Sequence, residues 1–192
     1  MSNTDKIRCP WCGTDPTYVR YHDEEWGVPV HNDLKHFEFL VLESAQAGLS
    51  WLTVLRKREN YRKAMDGFDP AKIALYDDKK LEELLQNVGI IRNRLKIKAT
   101  INNAQKFLEI AREYGSFDKY IWSFTNTKSI VNQFTALSEL PAKTNLSDQI
   151  SLDLKKRGFK FVGSTIIYAH LQAIGVVNDH LIDCFRYKKV SS

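Results

Sequence analysis

Glu43 closes the run Phe37-Glu-Phe-Leu-Val-Leu42-Glu43, in which nearly every neighbour is apolar. A carboxylate in such a run is costly to desolvate unless something binds it. Glu43 is therefore either a side chain snorkelling to water from an amphipathic helix or a group kept for chemistry. Just beyond it, Gly48-Leu49-Ser50-Trp51 breaks one helix, opens another and adds a tryptophan. The N-terminal third supplies four more rings, Trp11, Tyr18, Tyr21 and Trp26. In most proteins such rings fill a core. Beside irregular backbone and a carboxylate they also suit a pocket for a flat base, especially a cationic one, held by stacking, cation–π attraction and a carboxylate partner.

A second set of residues has the chemistry of metal ligands. His180-Leu-Ile-Asp-Cys184 places an imidazole and a thiol four residues apart, on one face of an expected last helical turn. That spacing suits two ligands of one metal. Cys9, Cys12 and His22 lie at the other end of the chain. By chemistry alone Cys9 pairs with Cys12, because Cys-x-x-Cys is the common zinc knuckle; three unrelated free thiols are the alternative. A closed four-ligand site would be structural, stapling the N- and C-terminal segments and leaving no open position for water.

A third feature is the turn Asn87-Val-Gly-Ile-Ile-Arg-Asn-Arg94 between two helical segments. A glycine-centred turn followed by a helix N-terminus can hold a phosphate of a nucleic acid backbone, and it can equally be an ordinary connection. Arg92, Arg94, Lys96 and Lys98 favour phosphate.

The elements that must position these residues read as helices almost throughout. Strict apolar–polar alternation is absent, so the fold class is all-α. An irregular stretch over Cys9–Pro16 precedes a helix from Tyr18 to Trp26, closed by Gly27 and Pro29. Asn32-Asp33 caps a helix running to Gly48, and Ser50 caps the next, Trp51 to about Met65, with Arg56, Lys57, Arg58 and Arg62 on its outer face. Asp69-Pro70 starts a short helix. Asp77-Asp78 opens another with Leu81, Leu84, Leu85 and Val88 on one face. A long helix spans Asn93–Tyr114 and stops at Gly115. Ser116 begins a helix through Phe124, and Asn126–Asn145 reads as loop. Ser147-Asp148 caps a helix ending in Lys155-Lys156-Arg157-Gly158, and Gly163–Gly175 is the most apolar helix, expected to be central.

At 192 residues and 43% hydrophobic content, the chain is expected to form one domain, 1–192, with room for two lobes around a cleft. Residues 1–6 are expected to be disordered. A net charge of +5 fits a phosphate-bearing partner. No segment approaches the ~20 apolar residues of a membrane span, and the N-terminus lacks a signal peptide's apolar core. Three cysteines, an odd number, argue against a disulfide framework. The expectation is a soluble cytoplasmic protein with no membrane partner.

Taken together, these stretches resemble the bacterial 3-methyladenine DNA glycosylase I family, a branch of the helix-hairpin-helix glycosylases. The matching residues are Arg8-Cys9-x-Trp11, Asp15-Pro-x-Tyr-x-x-Tyr21-His22-Asp-x-Glu-Trp-Gly27, Glu43-x-x-Gln-Ala-Gly-Leu-Ser-Trp51, Gly89-Ile-Ile-Arg92, Lys155-Lys-Arg-Gly-Phe-Lys-Phe-Val-Gly163, and Val177-Asn-Asp-His180 followed by Cys184. The resemblance implies a helix-hairpin-helix fold and one structural zinc on Cys9, His22, His180 and Cys184, which replaces the Cys9–Cys12 pairing and leaves Cys12 as an extra thiol. It implies that Glu43 and Tyr21 are catalytic and that Trp51, Trp11, Tyr18 and Trp26 bind the base. Gly48, Leu49 and Ser50 would form a wedge that fills the gap left by a flipped nucleotide. Gly89, Ile90 and Arg92 would grip DNA backbone.

The family lacks the catalytic aspartate that other helix-hairpin-helix glycosylases carry after the hairpin, and here no acid lies between Gly89 and Phe107. Lys96 and Lys98 are weak nucleophiles unless their pKa is depressed. The implied activity is monofunctional excision of 3-methyladenine from alkylated double-stranded DNA by a monomer with no obligate protein partner. The alternatives are a catalytically inactive damage-binding module of the same fold and a zinc-stapled helical protein that binds another protein.

Overall fold

The computed structural model describes residues 6–190. The expectation of disorder over residues 1–6 lies outside the described residues, except at Lys6, whose ammonium sits 4.9 Å over the Phe185 ring. The chain builds helices α1 (Pro16–Glu24), α2 (Asp33–Gln46), α3 (Trp51–Ala64), α4 (Pro70–Ile73), α5 (Asp78–Gln86), α6 (Arg94–Tyr114), α7 (Phe117–Ser123), α8 (Asn145–Lys156) and α9 (Ser164–Ala173). Side chains of Asn32, Ser50, Asp69, Asp77 and Asn93 accept from the first backbone N–H groups of α2 to α6, as their residue types demand. Gly115, at φ 87°, ends α6 in the left-handed conformation.

Several expectations change. Asp15, accepting from Thr17 and Tyr18, starts α1 two residues before Tyr18. Thr144 caps α8 through reciprocal bonds with Ser147, so the helix begins earlier than Ser147-Asp148 suggests. The residues from His180 to Cys184 form successive turns, with Cys184 N–H donating to Leu181 O (2.8 Å), instead of a helical turn. A short parallel pairing also joins β1 (Ile130–Val131) to β2 (Val177–Asn178), anchoring the otherwise irregular 126–145 segment. Val88, placed on a buried face by periodicity, lies beyond the end of α5 and is 74% exposed.

The helix most enclosed by protein is α2, in which every residue from His36 to Ala45 is buried. Helix α9 packs on α2 and α8, while α6 packs on α2, α4, α5 and α7. Phe37, Phe107 and Phe117 meet at the centre, with Phe107 stacked on Phe117 at 4.2 Å. Two glutamates sit in this enclosed helix and are treated differently. Glu38 takes hydrogen bonds from Arg58 and Arg62 and pairs with Lys35. Burial would raise its carboxyl, but Arg58 and the other cations hold it below the ordinary value. Glu43 has no such partner. Among the described residues no helix is long and apolar enough to cross a membrane.

The end of α9 is fastened to the segment after α1. Gly27 N–H donates to Gln172 O and Val30 N–H to Ile174 O, both at 3.0 Å. Gly175, at φ 72°, lets the two backbones close: a Cβ there would lie 2.4 Å from Pro29 N and 2.5 Å from Val28 C. Gly175→Ala adds left-handed strain to this overlap and is expected to cost about 3 kcal/mol. A lowered urea midpoint with unchanged slope reads that loss; an unshifted midpoint contradicts it.

Candidate active site

A pocket of about 270 Å³ opens beside α2, lined by Trp11, Tyr18, Tyr21, Trp26, Glu43, Gln46, Trp51, Leu137, Leu140, Ala169 and Gln172. All the rings singled out in the sequence are therefore on one cavity, with Glu43 in its wall. Trp11 is the hub, 5.0 Å from Tyr18, 6.4 Å from Tyr21 and 4.8 Å from Trp26 between ring centroids. Tyr21 lies 5.5 Å from Trp51 at 57°. The indole N–H groups of Trp11 and Trp51 are buried without a partner. Buried donors of this kind are normally paired, so the pocket is short of acceptors.

Glu43 is 3% exposed, and no hydrogen bond or ion pair to it occurs among the described residues. Burial alone pushes its carboxyl up to about 8. Burial and then Glu43 itself push the Tyr21 phenol well above its ordinary value, so Tyr21 stays protonated as a donor. A larger cleft, of about 540 Å³, lies behind Tyr21 and Phe39. Its buried charges are paired, since Arg58 forks onto Glu25 at 2.9 Å and also reaches Glu38, while Arg20 and Glu24 lie exposed at its rim. It supports Tyr21 from behind and leaves no comparable unpartnered carboxyl for a ligand.

Leu137, Leu140, Gln46, Ala169 and Gln172 were not foreseen as pocket residues. Leu137 and Leu140 belong to a 3-10 turn in the unpatterned 126–145 segment, stabilised by Glu139 accepting from Thr135 and Ala136. Long-range contacts bring them to the cavity: the β1–β2 pairing, Asn132 donating to Asp179, and Ile182 N–H donating to Phe134 O. The apolar period of α9 marks its buried face and gives no sign that Ala169 and Gln172 border a cavity.

Behind the aromatic wall, Cys9, His22, His180 and Cys184 offer four ligand atoms within 4.8 Å of one another, all buried. His22 Nε2 is 3.4 Å from Cys184 Sγ, and His180 Nδ1 is 3.5 Å from both Cys9 Sγ and Cys184 Sγ. The outer ring nitrogens are tied down: His22 Nδ1 to Asp23 at 2.8 Å, and His180 Nε2 to the Trp26 carbonyl at 3.0 Å. Arg8 in turn grips Asp23. Both imidazoles therefore turn a nitrogen lone pair inward, the arrangement that second-shell acceptors impose on metal ligands. Leu181 and Arg186 N–H groups point at the two sulfurs, and hydrogen bonds from Cys9 first, then His180 and His22, favour the Cys184 thiolate. The donor set fits a metal ion. Cys12 is outside it, with its thiol 3.8 Å from Gly13 O, so the Cys9–Cys12 pairing does not form.

Comparison with known proteins agrees with this geometry. The methyladenine glycosylase family model matches residues 11–187. The chain belongs to the methyladenine glycosylase family. It is 51% identical over 180 residues to DNA-3-methyladenine glycosylase 1 of Escherichia coli (strain K12), covering 94% of this chain and 96% of that protein. A crystal structure of 3-methyladenine DNA glycosylase I superposes with a TM-score of 0.91 at 50% identity, over 93% of this chain and 98% of the other. Another, from Staphylococcus aureus, addresses the recognition of 3-methyladenine and superposes with a TM-score of 0.91 at 38% identity, over 94% and 96%.

In this methyladenine glycosylase the cationic surface differs from what residue types suggest. On α3, Arg56 pairs with Asp15, Arg58 and Arg62 pair with buried Glu38, and Lys57 donates to the carbonyls of Val88 and Gly89. Arg94 forks onto Glu82. At the Gly89 turn the amides face inward. Gly89 N–H takes Asn87 Oδ1 (2.8 Å), Ile90 N–H takes Asn87 O (3.3 Å), and Ile91 N–H takes the Tyr61 hydroxyl (3.1 Å). Ile90 is buried, and of Gly89, Ile90 and Arg92 only Arg92 is exposed. The Gly89 and Ile90 amides are thus already spent inside the protein.

A second turn, Arg157–Gly163 between α8 and α9, is held by its carbonyls. Asn102 donates to Gly158 O, Asn103 to Lys160 O, Ser44 to Phe161 O and Ser151 to Val162 O. Phe161 is kept at φ 54°, a strained value for a non-glycine residue. Helix α9 starts at Gly163 without a side-chain cap, and Lys155, Lys156 and Lys160 are exposed around it. The first acid after this turn, Asp179, is buried and saturated by Asn132, Tyr168 and Gln172. Gly48, Leu49 and Ser50, the residues expected to form a wedge, are all exposed, with Gly48 at φ 80° and Leu49 40% accessible.

The buried carboxyl also makes a prediction about stability. Its folded pKa of about 8 exceeds the ordinary 4.5, so the native state holds the extra proton between those values. Stability is therefore lost as pH rises from 4.5 to about 8. Glu43→Gln removes this term. The variant should melt above the parent at pH 9 and with it at pH 4; equal melting at both would show that Glu43 is not desolvated.

Proposed function

We propose that the chain excises 3-methyladenine from alkylated double-stranded DNA by hydrolysing the N-glycosidic bond, opening base excision repair. The observation that carries this reading is Glu43: a carboxyl without a partner, in a pocket of purine size walled by indole and phenol rings. A cationic methylated purine supplies the missing partner. In the protonated form, Glu43 is neutral and attracts no cation. With the base inserted, ionisation becomes favourable, because carboxylate and cation desolvate together. Tyr21 and Trp51 hold the ring, with Trp11, Tyr18 and Trp26 as further lining, and their stacking offsets the few kcal/mol of extrusion.

Glu43 is the one acid lining the pocket. The chemistry leans accordingly on the leaving group: N3-methylation makes the base a good one, and Glu43 selects the base in its cationic form. As the glycosidic bond breaks, the base departs neutral with the bonding pair, and the positive charge passes to the sugar near the Glu43 carboxylate. Water adds to the sugar carbon and gives up a proton to solvent. No lysine lines the pocket, which supports monofunctional hydrolysis without a covalent enzyme–DNA intermediate. Leu49, with Gly48 and Ser50, fills the vacated stack. The open start of α9, flanked by Lys155, Lys156 and Lys160, grips the phosphate backbone as the hairpin of a helix-hairpin-helix fold. The Gly89 turn adds Arg92.

The four-ligand cluster holds one structural zinc. Zinc–sulfur bonds of about 2.3 Å and zinc–nitrogen bonds of about 2.0 Å at tetrahedral angles put donors about 3.5 Å apart. Three of the six donor separations here are 3.4 to 3.5 Å, and all lie within 4.8 Å. Zinc would supply no chemistry at the base; it joins the N- and C-terminal segments. We read residues 1–192 as one domain acting as a monomer without an obligate protein partner. Three unpaired cysteines suit the reducing cytoplasm.

Chromatography of bases released from methylated duplex DNA tests the activity. Free 3-methyladenine is expected, whereas binding without base release would mark an inactive damage-binding module. Glu43→Gln should lower kcat/KM by about 10²-fold. For the parent, kcat/KM should rise with pH until about 8, as free-enzyme Glu43 ionises, and Glu43→Gln should lose that limb. In metal analysis, His22→Ala should lose zinc and Cys12→Ser should retain one per chain. The reverse pattern would reassign the ligands.

A further inference from the structure

The last turn of α2 carries both the base pocket and the wedge, and one side chain from another helix holds it. The Lys96 ammonium, in the first turn of α6, donates to the carbonyls of Ala45 (2.9 Å) and Ala47 (2.6 Å). By residue type Lys96 is a phosphate ligand or a weak nucleophile, but its donors are engaged inside the protein. Burial lowers its pKa, and the C-terminal end of the α2 dipole offsets that desolvation by favouring a cation.

The grip falls where the helix unwinds. Ala45 is still helical, whereas Ala47 has left the helix at φ −46°, ψ 113°, and Gly48 follows at φ 80°. Leu49 N–H then turns back to Gln46 O at 2.6 Å. The turn is open to solvent at Gly48, where an added Cβ would meet no atom within 4 Å. Glu43 lies two residues before the first clamped carbonyl, and Leu49 two residues after the second.

We propose that Lys96 is a positioning residue that fixes the α2–α3 turn, so that Leu49 enters the duplex in register with the Glu43 pocket. This rests on the reading of Gly48–Ser50 as the wedge. Without the ammonium, two helix-end carbonyls lose their donor and the turn is free to pivot at Gly48. Ordering it would then fall on the DNA-binding step; the clamp removes that cost in advance.

Lys96→Met keeps the aliphatic stem and deletes the donors. Affinity for free 3-methyladenine, read by quenching of the pocket tryptophans, should stay within about twofold, while kcat/KM on methylated duplex should fall about 10- to 100-fold. A 2-aminopurine beside a tetrahydrofuran abasic site should brighten less on binding. In a Leu49→Ala background, Lys96→Met should change duplex kinetics no further than about twofold, because both changes remove one action. Parental duplex kinetics in Lys96→Met would overturn the proposal. So would an equal loss with and without Leu49, or a matching loss of free-base affinity. If Lys96→Met does not fold, Lys96→Gln, shorter than lysine and uncharged, takes its place in the same comparisons. The 2-aminopurine signal reads insertion without catalysis. A parent that releases no base would therefore sink the glycosylase reading while the clamp is still judged.

Discussion

Desolvation of the Glu43 carboxyl without an internal partner is the condition to which the surrounding structure is fitted. Five residues earlier on the same enclosed helix, Glu38 is neutralised by two arginines and a lysine, so the fold has the means to pair a buried acid. At Glu43 those means are withheld. The rings around it supply polarisable faces and unpaired indole N–H groups but no cation. Once Glu43 ionises, such a site favours a positively charged plane over a neutral one. That difference is what a glycosylase requires if it must ignore the vast excess of normal purines.

The rings that surround Glu43 are themselves held from behind. Tyr21 and His22 are consecutive on α1, Trp26 gives its carbonyl to His180, and Trp11 stacks edgewise on His22 at 5.3 Å. The pocket wall and the metal-ligand cluster thus adjoin, ring against ring. A metal there would fix ring positions without lining the pocket. Gly175 serves the same end from the other side, because its close approach to Val28 and Pro29 locks the segment after Trp26 onto α9.

Much of this was legible in the sequence wherever the cause was local. Caps at Asn32, Ser50, Asp69, Asp77 and Asn93 and the stop at Gly115 depend on neighbours a few residues away, and they stand where residue type places them. Glu43 was conspicuous for the same reason, as a charge in an apolar run. Long-range causes were not legible. Nothing local shows that Arg58 and Arg62 are consumed by Glu38, or that Lys96 is consumed by helix-end carbonyls. Leu137 and Leu140 reach the pocket through a strand pairing two residues long and two further long-range hydrogen bonds, at Asn132 and Phe134. His180 and Cys184 keep the spacing of a helical face but reach it through turns, since His180 Nδ1 and Cys184 Sγ need only converge, 3.5 Å apart, for a shared metal.

The ligand cluster also imposes an order on synthesis. Cys9 and His22 leave the ribosome well before His180 and Cys184, which follow after α9 has been made. Chains emerge N-terminal end first, so α1 and the rings it carries must wait until α9 is complete before their anchoring partners exist. A nascent chain can bury Phe37 against Phe107 before then. It cannot complete the ligand cluster behind Tyr21 until residue 184 has appeared, and a chain interrupted before that point carries Glu43 in a cavity with one side unfastened.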